Sequence, residues 1–209
     1  FRTAQNFVGS SRDIHTARFV PPPHLELPAL LADIERFINE RVPDLPLLAR
    51  IAVVHYQFEA IHPFRDGNGR IGRLVIMLML VRDGLLPGPL LPISSALERR
   101  RDEYNDRLLA VSVSGDWAGW LRFFLESVVE SADEALRLVG ALDTLREAYR
   151  ARLQSARSSA LLLKLVDSLF TRPATSISEA TRLLAVTPAS ASANITKLVE
   201  AGILREITG

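Results

Sequence analysis

The chain has 209 residues, room for one sizeable domain or two small ones, and a net charge of +1 that supplies no global field towards nucleic acid or a membrane. It contains no cysteine, which excludes disulfides, thiolate nucleophiles and Cys-based metal sites and fits a cytoplasmic protein. The apolar runs are too short and too interrupted to cross a bilayer, no secretory signal is visible, and the start at Phe1 rather than Met leads us to expect further chain upstream.

The apolar excess comes from Leu, Val, Ile and Ala, which favours a mainly α fold. Residues 1–26 are the exception. Two short runs, Thr3 to Gly9 and Ala17 to Val20, surround a polar tip at Ser10, Ser11, Arg12 and Asp13, the pattern of an irregular β-hairpin that Pro21, Pro22 and Pro23 terminate and stiffen. From Pro28 the period becomes helical, with Leu30, Leu31, Ile34, Phe37 and Ile38 on one face and a break at Pro43 and Pro46. Residues 47–61 read as a second helix, apolar on nearly all sides and therefore central. A loop containing Pro63, Gly67 and Gly69 leads to a third helix carrying Ile71, Leu74, Val75, Leu78 and Met79, which Gly84 ends.

Beyond the proline-rich link at 87–92 the pattern predicts one helix over 95–113. A second follows from an Asp116 N-cap through Trp120, Phe124 and Val128, and a bundle helix covers 133–153 with Leu138, Leu142, Leu145 and Tyr149. The tail reads as a separate unit: a helix over 161–170, a break at Thr171 to Pro173, a short helix over 178–185 capped by Ser176 or Ser178, a helix opened by Thr187 and Pro188, and a strand over 203–207. That order is the outline of a winged helix-turn-helix with an incomplete wing. The expected domains are thus 1–26, 27–155 and 156–209.

The chemistry concentrates in His62-Pro63-Phe64-Arg65-Asp66-Gly67-Asn68-Gly69-Arg70-Ile71-Gly72-Arg73. Gly67 and Gly69 flank Asn68 just before a helix, so backbone N–H groups and the helix N-terminus form an anion site suited to phosphate. Asp66 offers an oxygen ligand for Mg²⁺, which commonly takes one or two carboxylates plus phosphate oxygens. Arg70 and Arg73, three apart on one face, reach a common phosphate chain. His62, with an ordinary pKa near 6.5, suits a general base. A base, a metal ligand, an anion cradle and two cationic clamps together serve phosphoryl or nucleotidyl transfer.

These twelve residues resemble the Fic (Fido) signature, His-Pro-Phe-x-Asp/Glu-Gly-Asn-Gly-Arg-x-x-Arg, at every specified position. The lead-in from His55 to Ile61 is also similar, and the hairpin with Phe19-Val20-Pro21-Pro22-Pro23 resembles the target-binding flap of Fic proteins that carry a C-terminal winged helix. The resemblance covers roughly the first two-thirds of the chain. It implies a Fic helical core and a protein adenylyltransferase that moves AMP from ATP to a Ser, Thr or Tyr hydroxyl. His62 would act as base, Asp66 would hold Mg²⁺, and Gly67, Asn68 and Gly69 would bind phosphates, with Asn68 also donating from its side chain. Arg70 and Arg73 would clamp the phosphate tail, Phe64 would be a buried loop anchor, and the flap would hold a protein target by strand addition. The adenine-pocket position often carries a Tyr pair; here it carries Tyr104 followed by Asn105.

The family's inhibitory pattern, Ser/Thr-x-x-x-Glu-Gly/Asn, is not matched at Ser94 to Arg99, Thr175 to Ala180 or Thr196 to Ala201, so we expect no brake on Arg73 within these residues. His55 is expected in the core and Trp117 and Trp120 as packing residues. Glu59, three residues before His62, could approach the site, with a surface or helix-capping role the favoured expectation, and Arg99, Arg100 and Arg101 are expected as a solvated face. A DNA-binding regulator with a silent site is the alternative from another class. From Pro173 onward, Arg182, Lys197 and Arg205 are matched by Glu179, Glu200 and Glu206, a balance that argues against strong phosphate binding. A Fic enzyme that transfers phosphate or removes AMP remains open, as does a homodimer.

Overall fold

The computed structural model describes residues 1–9, 13–40, 44–154 and 160–207. Helices dominate. The chain enters α1 (Leu27–Asn39) through a single 3₁₀ turn at His24–Glu26, with Pro28 in the first helical turn, where its missing N–H costs nothing. α2 (Leu47–Ile61) begins after Pro46 and buries Ile51, Ala52, Val54, His55, Tyr56, Phe58 and Ile61 around its circumference. α3 (Asn68–Arg82) presents Gly72, Ile76, Met79 and Leu80 inward. α2 packs against α1, α3 and α5 and is the central element, as its all-round apolar pattern predicts.

Two expected boundaries differ. The helix expected over 95–113 is two helices, α4 (Ile93–Arg99) and α5 (Arg101–Ser114), broken at Arg100, whose backbone leaves helical geometry (φ −110°, ψ 33°). The Arg100 side chain accounts for the break. It pairs with Glu103, Glu126 and Glu130 and lies 4.6 Å from the Phe123 ring centroid. Arg99 pairs with Glu134 and Arg101 with Glu98, and both arginines stay exposed, so they form the expected solvated face while Arg100 is half-buried. Conversely, the helices expected at 117–128 and 133–153 are one, α6 (Trp117–Gln154). Nothing between Val129 and Ala132 breaks a helix, and Ser127 and Ser131 donate to carbonyls four residues back. Asp116 caps α6 by accepting from the Gly119 N–H at 2.9 Å.

The chain divides into two compact units, Phe1–Ala135 and Leu136–Gly209, with the division inside α6. In the first, Trp120 is fully buried and donates from Nε1 to the Ala52 carbonyl at 3.0 Å, satisfying the one polar atom of a large core side chain. Trp117 sits at the rim, edge-on to Tyr56.

Residues 1–26 form a single antiparallel bridge, Val8 to Phe19, instead of paired strands among the described residues. A 3₁₀ turn at Ile14–Thr16, capped by Asp13, stands between the two runs, and Ser10, Ser11 and Arg12 of the expected tip lie outside the described residues. The segment spends its donors elsewhere: Gln5 donates to Pro21, Asn6 to Phe64 and the Arg2 N–H to Pro63.

In the second unit α7 (Ala160–Leu169), α8 (Ile177–Leu184) and α9 (Pro188–Glu200) pack with the end of α6 around Leu153, Leu162, Leu165, Val166, Ala180, Leu184, Ala191 and Leu198. Ser176 and Glu179 cap α8 reciprocally, and Thr187 caps α9. Arg146 and Arg150 converge on Asp167, holding its carboxyl below the usual range. The strand expected at 203–207 does not form; these residues run without a strand partner among those described.

Candidate active site

α2 closes at His62, which adopts a left-handed backbone (φ 50°, ψ 59°) while its N–H reaches the Phe58 carbonyl at 3.1 Å. Positive φ at a non-glycine residue carries a steric cost, so the surroundings must over-determine it. Arg2 does much of this. Its side chain is almost wholly buried, and it donates to the carbonyls of His62 at 3.0 Å, Ile61 at 3.4 Å, Ala4 at 3.3 Å and also Pro22. A guanidinium fork at a helix C-terminus satisfies orphan carbonyls and complements the helix dipole. Sequence reasoning missed Arg2, because nothing local distinguishes it from any terminal arginine.

The His62 ring is half-buried, and Nδ1 lies 3.3 Å from the Glu59 carbonyl. A carbonyl only accepts, so Nδ1 carries the proton and Nε2 keeps the free lone pair. Burial lowers the His62 pKa below its ordinary value, the Glu59 carbonyl opposes this, and the Arg2 charge adds to the lowering.

The loop after His62 is closed by Asn68, which is buried. Its Oδ1 accepts from the Phe64 N–H at 2.8 Å, and its Nδ2 donates to the Phe64 carbonyl at 2.8 Å. These two bonds hold the loop closed and use one of the two Nδ2 protons. Phe64 is half-buried, its ring 5.3 Å from that of Phe1. Gly67 has φ 85° and precedes α3, a conformation that favours glycine. Asp66 and Arg70 are exposed and paired at 3.0 Å.

Under the loop, α2 and α3 approach closely. A β-carbon at Gly72 would collide with Glu59 Oε1 and stand 3.1 Å from His55 Cε1; one at Gly69 would stand 3.1 Å from Arg73 Nη1 and 3.9 Å from Glu59 Oε1. Glu59 therefore turns inward, contrary to its expected surface or capping role, because two glycines leave room for its carboxylate. Burial raises its pKa to about 7, with Arg73 opposing. Its spacing of three from His62 on a helix was the available signal. His55 is fully buried, bonds Tyr104 Oη through Nε2 at 2.9 Å, and is held neutral by burial, which lowers its pKa to about 4.

A cavity of about 630 Å³ opens beside His62. Its walls include Glu59, Tyr104 and Asn105, with Val8, Arg18 and Phe19 of the N-terminal segment opposite. An ion pair between Arg18 and Asp106 ties that segment to α5. Arg73 lines a second, open hollow with Ser94, Ser95, Glu98 and Arg99. His62 and Tyr104 thus share one cavity, Gly67 to Gly69 form the loop, and Arg70 and Arg73 stand on successive turns of α3.

Residues 2–80, which hold this loop and both flanking helices, match the Fic/DOC family. Among curated proteins the chain is similar to a probable protein adenylyltransferase of Aquifex aeolicus, with 38% identity over 87 residues that cover 41% of this chain and 27% of that protein. It is also similar to protein adenylyltransferase fic-1 of Caenorhabditis elegans, with 33% identity over 145 residues that cover 68% of this chain and 25% of that protein. The chain therefore spans about a quarter of the length of these relatives. The fold is similar to the crystal structure of a Fic family protein from Desulfovibrio desulfuricans G20, with a TM-score of 0.56 and 22% identity, over 96% of this chain and 55% of that one. No helix among the described residues is long and apolar enough to cross a membrane.

Around this loop the groups able to hold a metal are few. Among the described residues no three His, Asp or Glu side chains cluster as metal ligands. Asp66 is a single exposed carboxylate, which fits Mg²⁺ carried with phosphate oxygens better than a metal held by protein alone.

Proposed function

We propose that this Fic domain is a protein adenylyltransferase that transfers AMP from ATP to a Ser, Thr or Tyr hydroxyl of a protein. The observation that carries the reading is the contact of His62 Nδ1 with the Glu59 carbonyl at 3.3 Å, on a residue that lines a cavity and opens the glycine-containing loop before α3. A neutral ring so bonded donates from Nδ1 and keeps its lone pair on Nε2. A neutral imidazole so held is ready to accept a proton.

In this reading the phosphates lie against the Gly67 to Gly69 backbone at the start of α3, with Arg70 and Arg73 neutralising the tail. The target oxygen bonds to the α-phosphorus, the bond from that phosphorus to pyrophosphate breaks, and the hydroxyl proton passes to His62 Nε2. Asp66 would hold Mg²⁺, which supplies charge neutralisation on the phosphates when bound. The base lies in the His62 cavity, where Tyr104 contributes a ring wall while its hydroxyl stays with His55. The N-terminal segment around the Val8 to Phe19 bridge serves as the target flap, and an extended peptide lies along it. The tail from Pro173 onward, which carries α8 and α9, is a helix-turn-helix with a protein-contacting role, in keeping with the balance of charge over those residues.

The test is incubation of the chain with ATP, Mg²⁺ and candidate target proteins, beside His62→Ala, with masses read by spectrometry. An AMP-sized addition lost in the variant supports the reading. A phosphate-sized addition would reverse the lie of the nucleotide. Loss of AMP from a modified protein would reassign the direction, and no change with a range of targets would favour the DNA-binding alternative.

A further inference from the structure

The cavity beside His62 carries two cations that the nucleotide reading does not use. Arg18 of the N-terminal segment and Arg101 at the start of α5 both line it. The groups read as phosphate ligands, Gly67 to Gly69, Arg70 and Arg73, are not among the described residues of its lining. Arg18 and Arg101 are therefore left for the other reactant. The one acidic side chain among the described lining residues is Glu59. Burial raises its pKa to about 7, so it offsets only part of their charge near neutral pH.

Both arginines have partners at the surface. Arg18 pairs with Asp106, and Arg101 pairs with Glu98 at 3.4 Å. Neither carboxylate is among the described lining residues. The four side chains are 39% to 72% exposed. Ion pairs so exposed are worth little in water and exchange for another carboxylate at small cost. Each guanidinium also keeps donors beyond the one that its partner takes.

We propose that Arg18 and Arg101 are specificity-determining residues for the protein target: they receive an Asp or Glu side chain that lies close in sequence to the hydroxyl to be modified. The inference rests on the transfer reading above and names the class of segment it acts on. Arg101 stands one helical turn, about 5 Å, before Tyr104 and Asn105 on the same cavity wall. An extended peptide advances about 3.3 Å per residue, so the acidic side chain falls within about three residues of the hydroxyl. Opposite charge at that distance favours docking of such a segment, and a basic neighbour is repelled.

The experiment gives the chain Mg²⁺-ATP and a synthetic peptide library in which a central Ser, Thr or Tyr is flanked by randomised positions. The AMP-bearing members are sequenced by mass spectrometry. With the unaltered chain, Asp and Glu should be favoured over Lys and Arg roughly tenfold near the hydroxyl. This readout needs no variant. Arg101→Gln should weaken the preference, and the double variant Arg18→Glu, Arg101→Glu should reverse it. Affinity for Mg²⁺-ATP, read by calorimetry, should stay that of the unaltered chain. No charge preference in the unaltered chain, or the same preference in all three proteins, would overturn this inference alone. So would a double variant that melts like the unaltered chain yet loses ATP affinity, since the two arginines would then serve the nucleotide. Transfer to no member of the library would overturn the transfer reading and this inference with it.

Discussion

Arg2 Nε donates to the carbonyl of His62 at 3.0 Å, across 60 residues of sequence. One guanidinium thereby holds the backbone of the candidate base, the end of α2 and the N-terminal segment. Arg2→Ala should lower stability by about 1–3 kcal/mol, since it leaves buried carbonyls without donors. Transfer should fall with it even at temperatures where the variant is folded. Urea unfolding and transfer rates measured on one preparation check both.

The rate at saturating ATP should depend on pH through His62. Its pKa is lowered, so the neutral base persists below pH 6.5 and the rate falls only as pH drops through a midpoint under that value. Arg2 contributes to the lowering, so Arg2→Gln should move the midpoint up. A rate profile with its acid limb above pH 6.5 would contradict this assignment.

Asn68 supports the loop by two hydrogen bonds to the Phe64 backbone. Asn68→Ala should cost about 1–3 kcal/mol, because the Phe64 N–H and carbonyl lose a buried partner. Asn68→Asp keeps an acceptor and loses the donor, and should fall between the two. Denaturant midpoints order the three proteins.

Glu59 should make stability depend on pH in a sense opposite to that of most carboxylates. Its folded pKa is raised to about 7, above the unfolded value, so the folded state binds the proton more tightly. The folded state therefore loses stability as pH rises from about 4.5 to about 7, and the loss is complete above that window. Glu59→Gln lacks this loss. The difference in melting temperature, variant minus unaltered chain, should grow from pH 5 to pH 8; a constant difference would show that Glu59 is not buried as an acid.

Local pattern alone determined much of this protein. The period of apolar residues placed α2 and α3, and the positions of Ser176, Thr187 and Asp116 placed helix starts, because caps and amphipathic faces depend on residues within a turn or two. The chemistry-bearing loop was legible for the same reason: its base, carboxylate, glycines and arginines are contiguous from His62 to Arg73. The tertiary structure decided what depends on distant neighbours. Arg100 breaks a helix to meet Glu126 and Glu130, and α6 runs on where two helices were expected. The N-terminal segment forms one bridge in place of paired strands, since its donors serve the end of α2 and the loop. Asn68 closes the loop, Arg2 fastens it, and Glu59 turns inward because Gly69 and Gly72 make space on another helix. Burial and long-range hydrogen bonding set these roles, and neither is a property of the residues adjacent in sequence.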